Sequence, residues 1–322
     1  MKRRLTAAVL GLACGLSVAV IVILNKPKPQ KQLSSTNAAP VDPDLARPEQ
    51  LRLEKLPEPF DALKRLAKAR HKAVEGDWLE EYPEDGQSLG EYSSEYAKDH
   101  GKDLTIYFVP VGTFTPAQQR VFDRAVEVTT AFYQRPVKVL PALDPEKMRP
   151  LVSPRPHEPY GEQWLAPAIN DELVKLQPKD SVGLLGITAV DLYPDPTWNF
   201  VFGQAHGVEK VGVMSMARHG DPNADFSTAA RRMSAIAVHE LGHMFGVHHC
   251  VAYECVMNGS NSQQESDSEP MEPCPADTAK LARYFGFDPK VRAAAVRDLY
   301  RDAGFTEDAD FAAKEAELLS AP

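Results

Sequence analysis

Basic clusters are missing from almost all of this 322-residue chain. No group of Lys and Arg stands out after residue 31, and the formal net charge at pH 7 is −9. An acidic chain without a basic patch repels phosphates, which argues against a nucleic-acid partner. Internal repeats are missing as well. The hydrophobic content of 43% and the charged content of 25% are ordinary for a folded soluble protein, so a sizeable core is possible.

Long apolar runs are also missing, with one exception at the N-terminus. An uncharged and mostly apolar run extends from Leu5 to Leu24, which is long enough to cross a bilayer as one helix. It exceeds the usual apolar stretch of a cleaved signal peptide, and no A-x-A site ends it. We therefore predict an uncleaved signal anchor or transmembrane helix at residues 1–24.

The charges beside this run predict its orientation. Lys2, Arg3 and Arg4 favour a cytoplasmic N-terminus, so the rest of the chain is expected on the non-cytoplasmic side of the membrane. Three lysines after the run oppose this orientation: Lys26, Lys28 and Lys31. A lipoprotein cleavage site at Cys14 is an alternative form of attachment, and a secreted form is another outcome. The predicted location is therefore a membrane-anchored protein with its folded part outside the cytoplasm.

Composition changes divide the rest of the chain. Residues 25–50 are rich in Pro and polar residues, which predicts a disordered tether. Residues 51–101 contain a short amphipathic stretch with Leu63, Leu66 and Ala67 on one face, which predicts a helical lead-in that packs on the folded domain. That domain is expected to span residues 102–322.

Strand and helix patterns alternate through the first half of this domain. Thr115 and Pro116 are typical of a helix start, and the segment after residue 160 looks helical with a kink at Pro167. The predicted strands are 104–112, 136–140, 181–193, 199–205 and 211–219. Alternation of this kind favours a mixed α/β layer. A further helix ends near Gly246, followed by a Cys-bearing loop and more helices.

The segment HELGHMFGVHHCVAYECVM contains the spacing of a metal site. His239 and His243 are four residues apart, so on a helix both imidazoles lie on one face and can bind one ion. Glu240 lies one position further round and can act on a water bound to that ion. Gly246 is a favourable helix stop, after which the chain can turn and bring His249 back as a third nitrogen ligand. Three protein ligands leave a position for water, which is typical of a catalytic zinc.

The remaining histidines receive no metal-binding role. His248 neighbours the third ligand, but the spacing H-E-x-x-H-x-x-G-x-x-H selects His249. The others are scattered along the chain: His71, His100, His157, His206 and His219.

From the first metal-binding histidine onward, the sequence resembles the archaemetzincins, a metzincin family. Their signature continues from the third histidine into Cys, four residues, Cys, one residue and Met, and here Cys250, Cys255 and Met257 stand in that order. Upstream, GITAVDLYPDPTWNFVFGQA and VGVMSMARH also look like this family. The resemblance implies an α/β zinc peptidase domain with a mixed sheet and an active-site helix. It also implies that Met257 is a hydrophobic floor beneath the zinc, and that residues 211–218 are an edge strand lining the substrate cleft.

A second metal site is implied by the same family, which uses four cysteines for it. Here only Cys250, Cys255 and Cys274 follow the N-terminal run, and Asp277 stands where the fourth cysteine is expected. Aspartate can bind zinc through oxygen, so three Cys and one Asp can hold a second, structural zinc. The alternative is a Cys250–Cys255 disulfide with Cys274 unpaired, which an oxidising compartment would favour.

The predicted function is hydrolysis of peptides or proteins by a zinc-dependent metallopeptidase, with Glu240 as the general base. Two alternatives stay open. The three histidines could build a structural site in a non-catalytic, membrane-anchored binding or scaffold module. The zinc could also serve hydrolysis of something other than a peptide.

Overall fold

The computed structural model describes residues 45–96 and 105–320. The predicted membrane helix at 1–24, the alternative lipid site at Cys14 and most of the predicted tether lie outside these residues. Across the two described ranges, no helix combines the length and the apolar character needed to cross a membrane. The first helix begins at Arg47, inside the segment predicted to be the tether.

Helices and strands alternate as the sequence predicts for an α/β protein. In the described residues the strands are β1 (Thr105–Val111), β2 (Val137–Val139), β3 (Arg155–His157), β4 (Gly161–Leu165), β5 (Ser181–Thr188), β6 (Asp191–Tyr193), β7 (Gly203–His206) and β8 (Val211–Ser215). The helices are α1 (Arg47–Leu53), α2 (Phe60–Leu63), α3 (Trp78–Glu81), α4 (Leu89–Glu95), α5 (Pro116–Tyr133), α6 (Pro145–Met148), α7 (Ala166–Leu176), α8 (Phe226–Met244), α9 (Gln263–Asp267), α10 (Pro275–Phe285), α11 (Pro289–Ala303) and α12 (Thr306–Leu318).

The main sheet has the strand order β2-β1-β5-β8-β7. The first four of these strands run parallel, and β7 pairs with β8 in the antiparallel direction. Strands β1, β5 and β8 are buried along almost their whole length, as expected for parallel strands covered on both faces. The edge strands are β2 and β7, so the prediction that residues 211–218 form an edge is wrong. The chain returns through β7 before it reaches β8, and this hairpin places the earlier segment outermost.

Helices cover both faces of this sheet. One face packs against α5 and α8 through Phe108, Phe122 and Leu241. The other packs against α7 through Ile169 and Leu173. The predicted start of α5 is confirmed: Thr115 accepts a hydrogen bond from the Gln118 N–H, and the Gln118 side chain accepts one from the Thr115 N–H.

The predicted kink at Pro167 is wrong. Residues 161–165 form β4, and α7 begins only at Ala166, so Pro167 lies in the first turn of the helix. A proline is tolerated there because the N–H it lacks has no partner within the helix. A small second sheet, ordered β3-β4-β6, therefore occupies part of the segment predicted to be helical.

The lead-in packs on the domain, as predicted. Leu51, Leu63, Trp78 and Tyr92 are buried. The Arg70 N–H donates to the Ala252 carbonyl at 3.0 Å, which ties the lead-in to the loop after α8. The lead-in thus lies against the segment that carries the third histidine and the first two cysteines.

Candidate active site

The helix α8 positions the first two histidines of the motif. His239 and His243 are one turn apart, and both are buried. The helix ends at Met244, and two residues later Gly246 has a φ of +86°, a left-handed conformation that favours glycine. A Cβ at this position would overlap the Tyr96 ring, so glycine is required for space as well. The turn carries the chain back to His249.

The three imidazoles meet at one point. Their ring centroids are 4.5 Å apart for His239 and His243, 5.3 Å for His239 and His249, and 4.8 Å for His243 and His249. One nitrogen of each ring lies within 4.8 Å of the corresponding nitrogens of the other two. Among the described residues, no fourth His, Cys or carboxylate joins this group.

Hydrogen bonds at Nδ1 orient all three rings. His239 Nδ1 lies 2.7 Å from the Val256 carbonyl oxygen, and His243 Nδ1 lies 2.7 Å from the Val247 carbonyl oxygen. His249 Nδ1 lies 2.9 Å from both carboxylate oxygens of Glu84. When Nδ1 carries the proton of each ring, Nε2 presents its lone pair to the centre of the group.

This arrangement fits a zinc ion. The Nε2 atoms of His239 and His243 are 2.9 Å apart, close to the roughly 3.3 Å that two imidazole ligands span around tetrahedral zinc. His249 Nε2 is buried with no hydrogen-bond partner in the described residues. Burial, reinforced by the neighbouring imidazoles, lowers the pKa of His239 to about 3 and that of His243 well below its usual value. These two rings are therefore neutral at physiological pH, as metal ligation requires.

Glu240 lies beside the three histidines and is completely buried. Neither of its carboxylate oxygens has a hydrogen-bond partner in the described part of the chain. Burial raises the pKa of Glu240 to about 8. The edge strand β7 approaches this carboxylate closely, since a Cβ on Gly203 would lie 2.7 Å from Glu240 Oε1. A buried carboxylate without a partner is costly, so its retention beside a metal site indicates a chemical role.

Met257 packs beneath helix α8. It is buried, and a Cβ on Gly242 would lie 2.6 Å from Met257 Sδ. The thioether thus contacts α8 next to His243, where the sequence predicts an apolar floor. The structure places His248 outside the histidine group, half-buried, with its N–H directed at the Gln87 side chain at 3.4 Å.

A second cluster brings together the three cysteines and Asp277. The Sγ atoms of Cys250 and Cys274 are 3.7 Å apart, and Asp277 Oδ2 lies 3.3 Å from Cys274 Sγ and 3.8 Å from Cys255 Sγ. Two thiolates bound to tetrahedral zinc are separated by roughly 3.8 Å, so the cluster fits a zinc ion. All three cysteines are free thiols, which does not match the alternative of a Cys250–Cys255 disulfide.

Comparison with known proteins identifies the family. The profile of Peptidase family M54 matches residues 143–283. Archaemetzincin-2 of Macaca fascicularis is 30% identical over 248 residues, which cover 66% of this chain and 68% of that protein. The chain belongs to the archaemetzincin family. The archaemetzincin of Methanopyrus kandleri is 40% identical over 122 residues, covering 38% of this chain and 67% of the relative. Its crystal structure aligns with a TM-score of 0.46 at 32% identity, covering 57% of this chain and 96% of the other.

Membership in the archaemetzincins makes this chain a zinc-dependent metallopeptidase whose substrates are peptides or proteins. The family and the enzyme class predicted from the sequence are thereby confirmed. Membrane attachment has no support in the described residues, and the predicted location outside the cytoplasm stays a prediction.

Two charged residues of this archaemetzincin site are not among those that the sequence predicts. Lys280 Nζ donates to Asp277 Oδ1 at 2.7 Å, with both side chains buried. The spacing of three residues on one helix is a signal that could have revealed this pair. Glu84 is separated from His249 by 165 positions in the chain, and no local pattern indicates that they meet.

Proposed function

We propose that this archaemetzincin hydrolyses peptide bonds with a zinc ion held by His239, His243 and His249. The observation that carries the proposal is the convergence of three buried imidazoles beside a buried carboxylate that has no hydrogen-bond partner in the described residues. The Nδ1 atoms are all hydrogen-bonded, so only the Nε2 atoms are available to a metal. The cluster offers three protein ligands, which matches the open site of a catalytic zinc.

Zinc in this position would act as a Lewis acid on the scissile carbonyl and would lower the pKa of a bound water to roughly 7. Glu240 is the general base that takes a proton from the attacking water. The same carboxyl then donates that proton to the leaving amine. No described side chain competes for its oxygens, so both are available for this exchange.

A second zinc is proposed at Cys250, Cys255, Cys274 and Asp277. The supporting observations are burial of all four side chains and separations that fit tetrahedral coordination. Four protein ligands leave no position for water, so this zinc would have a structural role. It would join the loop after α8 to the start of α10, next to the segment that carries His249.

The alternative of a non-catalytic zinc module is less well supported. A structural site would be completed by a fourth protein ligand, and the described residues offer the histidine cluster none. It would also have no need for the buried Glu240 carboxylate, which lacks any compensating hydrogen bond.

The test compares the full-length protein with its Glu240→Gln variant. We expect about two zinc ions per chain in both proteins, cleavage of a mixed peptide library by the wild type, and loss of nearly all turnover in the variant. Mass spectrometry of the library products and metal analysis give the two readouts. Substantial peptidase activity in the variant would contradict the role of Glu240. Zinc binding without cleavage by the wild type would favour the binding module.

A further inference from the structure

His249 differs from His239 and His243 in the group that forms the hydrogen bond with its Nδ1 atom. Backbone carbonyls accept the hydrogen bonds of His239 and His243, whereas a carboxylate accepts that of His249. Both oxygens of Glu84 lie 2.9 Å from His249 Nδ1. His249 is also the one of the three that lies beyond the end of α8, so the helix does not hold its ring.

Glu84 comes from the lead-in, outside residues 143–283 that match the family profile. Its position is held on both sides. On the N-terminal side, Trp78 Nε1 donates to Glu84 Oε1 at 3.1 Å. On the C-terminal side, the buried Gln87 side chain donates to the Gly246 carbonyl at 3.2 Å. The Gln87 backbone carbonyl accepts from Lys280 Nζ at 2.7 Å.

Trp78 links this carboxylate to the histidine ring itself. The indole packs edge-on against the His249 imidazole, with ring centroids 5.3 Å apart. Trp78 is buried, and its backbone N–H donates to the Glu265 carboxylate at 3.1 Å. Gly259 faces the indole so closely that a Cβ there would lie 2.4 Å from Trp78 Cδ1 and overlap the ring. The indole and the carboxylate therefore hold the imidazole from two directions.

We propose that Glu84 is a positioning residue that sets the tautomer and orientation of His249 for zinc binding. The carboxylate accepts the Nδ1 proton, which leaves the Nε2 lone pair free for the metal. A negative charge beside the ring also increases its basicity as a ligand. The lead-in thus completes the catalytic zinc site from a segment outside the matched catalytic region. This inference rests on the proposed function, because it takes His249 to be a ligand.

The variant Glu84→Gln tests the proposal because it keeps the size of the side chain. Both carboxylate oxygens face Nδ1, so an amide presents an N–H donor to a ring that also donates. The conflict is relieved when the ring proton moves to Nε2, and in that tautomer Nε2 has no lone pair for the zinc. We expect the affinity of the histidine site for zinc to fall about 10- to 100-fold.

The experiment uses the full chain and titrates the metal-free protein with Co²⁺ and then Zn²⁺ against a chelator. Cobalt at the cysteine site is detected by thiolate-to-cobalt charge-transfer absorption. Cobalt at the histidine site gives ligand-field bands with no accompanying charge-transfer absorption. The matched control is Glu81→Gln, which removes an exposed carboxylate on α3. The unfolding temperature of each metal-free protein is measured alongside.

We expect Glu84→Gln to bind metal more weakly at the histidine site alone. Metal binding at the cysteine site and the unfolding temperature of the metal-free protein should be unchanged. Wild-type affinity in Glu84→Gln would overturn the proposal and leave the proposed function intact. A parallel loss at both sites with a lower unfolding temperature would also overturn it, since Glu84 would then serve only the fold. Failure of the wild-type histidine site to bind any metal would overturn both the inference and the proposed function.

Discussion

Lys280 Nζ lies 2.7 Å from Asp277 Oδ1, and both side chains are only 2% exposed. The lysine draws one carboxylate oxygen towards itself, and the other, Oδ2, faces the cysteines. In the proposed zinc site, three thiolates and one carboxylate would carry four negative charges, two more than a zinc ion neutralises, so the ammonium group would reduce a buried excess. This pair would allow an aspartate to serve as the fourth ligand of the proposed second zinc.

Removal of this lysine should weaken the second zinc site. In Lys280→Met, Asp277 Oδ1 and the Gln87 carbonyl both lose their partner in a buried setting. We expect zinc affinity at the cysteine site to fall about tenfold or more while the histidine site keeps its metal. Zinc per chain after dialysis against a chelator measures the loss. The control is Lys290→Met, an exposed lysine on α11. Full zinc retention in Lys280→Met would show that the charge of Lys280 is not needed.

A methyl group on the edge strand should disturb the general base without touching the metal. In Gly203→Ala the new Cβ would lie 2.7 Å from Glu240 Oε1, so the carboxylate has to move. A displacement of this size costs about 100-fold in kcat/KM, with zinc content unchanged. The control is Gly207→Ala, where the added carbon would meet the His243 carbonyl at an ordinary 3.5 Å. Equal activity of both variants would mean that the position of Glu240 is not critical.

A buried arginine should dominate the attachment of the lead-in. Arg70 lies 3.3 Å from Glu254, 3.2 Å from Glu265 and 2.7 Å from Glu269, and all four side chains are nearly inaccessible to solvent. Removing the cation takes away the counter-charge that three buried carboxylates share, so Arg70→Met should lower the free energy of unfolding by about 3–5 kcal/mol. Denaturant unfolding measures this change.

The matched control for Arg70 is Arg149, which pairs with Glu162 on the surface. Arg149→Met should unfold at nearly the same denaturant concentration as the wild type, because water replaces the lost ion pair. If the two variants lost equal stability, burial of the Arg70 cluster would not be the cause.

The contributions of two histidines, His219 and His71, to the free energy of unfolding should depend on pH in opposite directions. Burial lowers the pKa of His219 to about 4, so between pH 6.5 and 4 the unfolded chain binds a proton that the folded chain does not. The stability from this neutral histidine is complete above pH 6.5 and is lost as pH falls. A hydrogen bond to Glu254 raises the pKa of His71, so its contribution is complete below pH 6.5 and is lost as pH rises.

Unfolding temperatures at pH 7 and pH 5 test both signs. We expect His219→Gln to lose fewer degrees on acidification than the wild type and His71→Gln to lose more, with differences on the order of a few degrees. A chelator in all samples removes any contribution from zinc release. Identical pH dependence in the three proteins would contradict both assignments.

The lead-in shows where prediction from the sequence reached its limit. Its helices and its packing on the domain were predictable from one apolar face. Its contact with the zinc site was not, because Glu84 and Trp78 carry no motif and meet His249 only after the chain has folded. The order of β7 and β8 was missed for a similar reason, since a strand pattern does not reveal which strand of a hairpin lies outermost.

The sequence by itself determined the enzyme class and the residues of the proposed histidine site. The spacing of His239 and His243 follows from the period of a helix, and the turn at Gly246 follows from the left-handed conformation that glycine accepts. Only the tertiary structure decided which groups support these ligands: Glu84 behind His249, Gly203 against Glu240 and Lys280 beside Asp277. The histidine spacing depends on the geometry of residues that are close in the sequence. The supporting contacts depend on how distant segments of the chain pack together.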